Sequence, residues 1–137
     1  VRARLATARV ALLVLSRDEA AALLDRPLPS LAAAADAVAG ALPGLIAVVT
    51  GGAAGSSAAG PGFALSVPAV EQTTPMLDAT GAGDAYLAAL ILFLLEATWP
   101  PAVPTLREAM ERGARDGALA ARVLGAQGRT AAESTTR

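Results

Sequence analysis

Two short runs without a polar residue, Val10–Leu15 and Leu45–Val49, constrain the fold of this chain most strongly. Both have strand length, and neither shows the polar/apolar alternation of a strand with one wet face. Apolar on both faces, they belong in a sheet covered on both sides, as parallel sheets are. Between them, Ser16-Arg17-Asp18-Glu19 leads into a helix reaching Leu24, and Pro27 and Pro29 end it. Ser30 caps a second helix from Leu31 to about Leu42, and Pro43-Gly44 makes the turn into the second strand. Strand, helices and strand in this order predict a crossover unit and an α/β fold.

Composition narrows the chemistry. The chain has 137 residues, with 11 Lys+Arg (every one an arginine) against 12 Asp+Glu, and neither Cys nor His. A net charge of −1 gives no electrostatic footprint for nucleic acid, so no such partner is expected. Lacking Cys and His, the chain has no usual zinc site, thiol nucleophile or His-based triad. Lacking Lys, it has no Walker lysine and no Schiff-base chemistry. Carboxylates, hydroxyls, arginines and backbone amides remain. The longest strongly apolar run, Ala85–Leu95, falls well short of the ~20 residues that span a bilayer. No signal-peptide pattern opens the chain, and no membrane partner is expected.

Beyond Val49 the texture changes. Thr50–Gly62 carries Gly51, Gly52, Gly55, Gly60 and Gly62 among serines and alanines. It reads either as a flexible linker or, with Phe63–Val67 behind it, as a hairpin-like excursion of minor strands. Pro68–Leu77 reads as a loop. Asp78-Ala79-Thr80-Gly81-Ala82-Gly83-Asp84 then opens into an apolar helix, Ala85–Thr98, which Trp99-Pro100-Pro101 breaks. The last element is a helix over Leu106–Leu124, with Thr105 and Glu108 as a capping box behind Pro104. Leu106, Met110, Gly113, Gly117, Ala121 and Leu124 form its buried stripe. Glu108 with Arg112, and Glu111 with Arg115, are favourable i,i+4 pairs on its other side. The small residues Gly113, Ala114 and Gly117 predict close approach to a neighbouring element. The expected organisation is one domain over residues 1–129 with a frayed tail at 130–137.

The segment Asp78–Asp84 carries the most chemical information. Small residues lead directly into a helix, whose first-turn amides lack intrahelical acceptors. With no side chains in the way, a phosphate can approach those amides, and the helix dipole adds to the attraction. Asp84 lies in the same first turn, where a carboxylate can accept a proton from a hydroxyl attacking a bound phosphoryl group. A helix start with Asp84 merely favouring the dipole would explain a bare Gly-x-Gly equally well, but not the whole string.

That string resembles the signature of the ribokinase/phosphofructokinase-B family of carbohydrate kinases, Asp-Thr-x-Gly-Ala-Gly-Asp, with Ala79 in place of the usual hydroxyl residue. Three weaker similarities accompany it. Thr50, Gly52 and Gly55 fit the family's Thr-x-Gly-x-x-Gly turn at the end of a core strand, where it lines the nucleotide. Glu19 fits the family's Asn-x-x-Glu, which holds magnesium-bound water, although Ser16 replaces the Asn and Ser-x-x-Glu is itself a capping box. Gly125-Ala126-Gln127 resembles the family's Gly-Ala ending beside the adenine, although a helix C-cap accounts for Gly125 too.

The resemblance runs from about Leu12 to Gln127 and covers only the C-terminal, nucleotide-handling half of a family member. It implies a Rossmann-like, ribokinase-like parallel sheet with flanking helices, and a cytoplasmic enzyme that transfers phosphate from ATP to a hydroxyl of a sugar or similar small alcohol. Asp84 would be the base, and the amides of Gly81, Ala82 and Gly83 the anion hole. Thr50, Gly52, Gly55, Gly125 and Ala126 would line the nucleotide. Glu19 would serve Mg2+, and Asp78 and Thr80 a monovalent cation such as K+. A homodimer is compatible with the family. The sugar-binding half is missing, so this chain alone is expected to be inactive. A vitamin kinase of the same superfamily and a non-catalytic nucleotide-binding or regulatory module are the alternatives.

Overall fold

The first strand, β1 (Leu12–Ser16), runs directly into helix α1 (Arg17–Leu24), because Ser16 is both the last strand residue and the helix cap. In the computed structural model, which describes residues 10–71 and 78–122, the chain divides into two compact units, Val1–Ala69 and Val70–Arg137. In the first unit, α1 is followed by α2 (Leu31–Ala41), β2 (Ile46–Thr50), a 3₁₀ turn (Gly52–Ala54), β3 (Ser56–Gly60) and β4 (Phe63–Val67). Ser30 caps α2 as expected, its hydroxyl accepting from the Ala33 amide at 3.1 Å. The stop of α1 differs from expectation. Asp25, in a left-handed conformation at φ 53°, ends the helix before either proline, and the Arg26 amide donates to Ala21 O.

The four strands form one sheet in the order β1-β2-β3-β4. β1 and β2 are parallel, Leu13 facing Ala47 and Leu15 facing Val49, so the α/β crossover is present. β3 then returns antiparallel along β2, and β4 antiparallel along β3. The glycine-rich stretch is therefore the hairpin rather than a linker. Gly62, at φ +78°, makes its two-residue turn with Pro61. Ala47, Val49 and Ala59 on the sheet meet Ala20 of α1 and Ala34, Ala35 and Val38 of α2, with Leu13, Leu15, Leu23 and Leu24 around them. The facing residues are mostly alanines, which lets helix and sheet backbones come close. The apolar β2 run is buried throughout, from Ile46 to Val49.

The second unit holds two helices, α3 (Ala82–Leu94) and α4 (Val103–Ala120). α3 starts three residues earlier than expected, since the Gly-Ala-Gly-Asp stretch is its cap and first turn, and it ends earlier, at Leu94. Tyr86, Leu90 and Leu94 on α3 are buried, as are Leu106, Ala109, Met110, Gly113 and Gly117 on α4. A Cβ on Gly113 would stand 3.0 Å from Tyr86 O, so the small residues do permit the predicted close approach. The other side of α3 is apolar but open, with Leu92 66% and Leu95 74% exposed.

The capping box predicted for the last helix is not formed. α4 begins at Val103 behind Ala102 with no side-chain cap, and the Leu106 amide already donates to Ala102 O at 3.0 Å. Pro104 falls inside the first turn, where its fixed φ suits the helix and its missing N–H costs nothing. Thr105 is thereby already helical. Of the two expected ion pairs, Glu108–Arg112 closes at 3.1 Å, with Arg112 also lying over the Phe93 ring at 4.5 Å. No such pair joins Glu111 to Arg115 among the described residues. Leu124, Gly125, Ala126, Gln127 and the tail 130–137 lie outside the described residues.

Candidate active site

In the first unit, the C-terminal ends of the two parallel strands bring Ser16 and Thr50 into register as neighbours. This places the start of α1, with Glu19, beside the turn that follows β2. The capping box at that helix start is complete. The Ser16 amide donates to Glu19 Oε2 at 2.7 Å, and the Glu19 amide donates to Ser16 Oγ at 3.2 Å. The Ser16 backbone amide, followed by its hydroxyl, holds the Glu19 carboxyl below the ordinary glutamate range. A carboxyl that ionises more readily in the folded chain stabilises it fully above the unfolded pKa, and that contribution is lost as pH falls through the lowered value. Glu19→Gln is therefore expected to keep the capped helix but remove a small acid-side loss of stability, read by thermal melts between about pH 3 and 7.

Thr50 itself is half-buried, and its hydroxyl donates to Leu15 O at 3.4 Å across the parallel pair. The following turn is held by its own backbone. Gly51 N–H donates to Gly55 O at 2.9 Å, and Ala54 N–H to Gly51 O at 3.1 Å. Gly52 and Gly55 have φ of +57° and +85°. A Cβ on Gly55 would run into Val67 O, so this glycine is required by packing as well as by conformation. Gly52 has open space around it. Sequence reasoning passed over Gly51, whose amide closes the turn. The doubled glycine Gly51-Gly52 was its only local signal.

The second cluster lies in the second unit. Asp78 Oδ1 accepts the Thr80 amide at 2.8 Å, an Asx-type turn that folds the loop on itself. Gly81 then adopts φ +82° as the N-cap of α3, a conformation an L side chain rarely takes. Ala82, Gly83 and Asp84 are the first three helical residues, whose amides find no carbonyl one turn back. Ala82 N–H is used by Ala79 O at 3.1 Å, while the first intrahelical bond runs from Ala85 N–H to Gly81 O at 2.9 Å. Gly83 and Asp84 are both exposed. Among the described residues, a Cβ on Gly83 would meet nothing within 4 Å.

A family model, pfkB family carbohydrate kinase, matches residues 2–133. The chain belongs to the pfkB family of carbohydrate kinases. Solved structures agree with this assignment. At 30% identity and a TM-score of 0.69, the chain is similar to fructokinase from Vibrio cholerae in a fructose-, ADP- and calcium-bound form, covering 84% of this chain and 36% of that one. It is similar to aminoimidazole riboside kinase from Salmonella enterica at 25% identity and TM-score 0.71, covering 91% and 39%. Adenosine kinase from Sinorhizobium meliloti shares the fold at TM-score 0.74 and 22% identity, covering 98% and 39%. This pfkB-family chain thus spans less than two-fifths of the length of these kinases. No curated protein sequence matches it.

Within the family assignment, the Asp78–Asp84 string is the α3 cap and first turn, and Thr50–Gly55 is the turn after β2. Among the described residues, no group of three or more His, Cys, Asp or Glu gathers that could hold a metal by itself. None of the described helices is long and apolar enough to cross a membrane.

Proposed function

We propose that this chain is the nucleotide-binding and phosphoryl-transfer half of a kinase acting on a hydroxyl of a sugar or similar small alcohol. Gly83 carries the reading. Glycine favours helix less than alanine does, and among the described residues neither a positive φ nor a close neighbour requires it at this position. Close approach of a ligand to the first-turn amides does account for it. The neighbouring Gly81 cap and the exposed Asp84 complete an anion cradle with a carboxylate at its edge.

In this reading the amides of Gly81 and Gly83 hold charge building on the transferred group, joined by that of Ala82 once it leaves Ala79 O, and Asp84 takes the proton of the attacking hydroxyl. Thr50, Gly52 and Gly55 line the nucleotide, with Gly125 and Ala126 beside its base. ATP is the phosphoryl donor. Magnesium, when bound, supplies charge neutralisation on the phosphates, with Glu19 orienting its water. Asp78 and Thr80 are the positions for a monovalent cation. The fructokinase solved with fructose and ADP, and the aminoimidazole riboside kinase solved with its riboside and an ATP analogue, support this donor and acceptor class.

Calorimetry with Mg-ATP on the purified chain tests the reading, with circular dichroism as the control for folding. Binding heat is expected, and Gly83→Val should abolish it without unfolding the chain, because the new side chain meets none of the described residues. Absence of heat from the folded parent would overturn the nucleotide site. The chain alone is expected to phosphorylate no sugar, since positioning of the acceptor is worth ~7–11 kcal/mol of barrier. A magnesium titration of the Glu19→Gln variant reads the last role: an unchanged magnesium dependence removes Glu19 from the site.

A further inference from the structure

The loop that carries Asp84 is seated at both ends on one turn of α4. At its start, the Asp78 amide donates to Ala121 O at 3.2 Å. At its end, Gly117 lies so close to α3 that a Cβ there would stand 2.9 Å from Ala82 O and 3.5 Å from Tyr86 Cβ. Gly117 and Ala121 are four residues apart on the same stripe, and the Ala121 amide donates to Gly117 O at 3.1 Å. One rigid helical turn therefore fixes the first residue of the loop and the first residue of α3. The Asx turn from Asp78 to Thr80 and the left-handed Gly81 bridge the interval between them.

We infer that Gly117 and Ala121 are positioning residues for the Asp78–Asp84 loop, setting where its amides and the Asp84 carboxylate stand. This rests on the reading of that loop as the phosphoryl-transfer site. Neither residue belongs to the motif. Each acts through backbone, Ala121 through its carbonyl and Gly117 through the absence of a side chain. Because backbone on α3 meets backbone on α4, no flexible side chain can absorb an added methyl group. The first turn of α3 must shift instead, and a shift of a fraction of an ångström matters where a displacement of about 1 Å can cost about 10²-fold in rate.

Gly113 provides a matched control. It lies one turn earlier on α4, and a Cβ there would meet Tyr86 O at 3.0 Å, inside α3 rather than at its cap. Gly117→Ala and Gly113→Ala make the same chemical change in the same helix, with the same gain in helix propensity. Backbone amide NMR on the whole 137-residue chain should show the largest displacements at residues 81–85 in Gly117→Ala and around Tyr86 and the following turn in Gly113→Ala. Mg-ATP affinity should fall about 10-fold in the first variant and stay within about twofold in the second. Equal displacement of residues 81–85 in both variants, or none in Gly117→Ala, would overturn the proposal. Should Gly117→Ala not fold, hydrogen exchange on the unmodified chain decides. An Asp78 amide protected like the last turn of α4 supports the seat, and one exchanging at the free-chain rate overturns it. A folded parent that binds no Mg-ATP would remove the nucleotide reading alone. The amide displacements would still decide whether α4 positions the loop.

Discussion

In a kinase that carries this segment together with a sugar-binding half, Asp84→Asn is expected to lower turnover by roughly 10²–10⁴-fold, the loss that accompanies removal of a general base. Nucleotide affinity should survive the change. The amides of the Gly81–Gly83 stretch are untouched, and a negative charge near the terminal phosphate has been removed. Asp84 is exposed in the first turn of α3, so the substitution leaves packing alone. A carboxylate that merely favoured the helix dipole would be worth ~0.3–1 kcal/mol of stability and nothing specific in rate. Steady-state kinetics beside an ATP titration separate the two roles. Turnover within a few-fold of the parent would eliminate Asp84 as the base.

Gly55→Ala is expected to be the most damaging single change to the first unit. The residue sits at φ +85°, and its new Cβ would collide with Val67 O and stand 2.9 Å from Ala69 N. Backbone strain and overpacking each cost ~1–3 kcal/mol, so a loss of about 2–6 kcal/mol is expected in chemical denaturation. Gly52→Ala is the comparison: its φ is also positive, at +57°, but its surroundings are open, so it should lose only the conformational share. Equal losses in the two variants would show that the contact with Val67 contributes nothing.

Much of the candidate site was legible because its determinants are local. The Ser16–Glu19 capping box and the Ser30 cap each act within one helical turn, and residue type alone announces them. The same capping box also explains why Glu19 stayed ambiguous. One carboxylate fits both a helix cap and a magnesium-water site, and the short Ser16–Glu19 bonds satisfy the first without deciding the second. Local signals misled at the start of α4, where Thr105 looked like a cap. Pro104 fits inside a first turn as readily as before it, and the helix takes it in, with the Leu106 amide already donating to Ala102 O.

The sequence by itself determined the apolar strands, the helix starts and the seven-residue string that marks the family, since each depends on residues within a few positions of one another. Tertiary structure alone decided the direction of β3 and β4, the steric need for Gly55 and the seating of the Asp78–Asp84 loop on Gly117 and Ala121. The strand directions depend on pairs three to twelve residues apart, and the other two on atoms brought together from a dozen to more than forty residues apart. No local pattern of residue types encodes a backbone carbonyl arriving from so far along the chain; only the pairing of strands and the packing of helices bring it there.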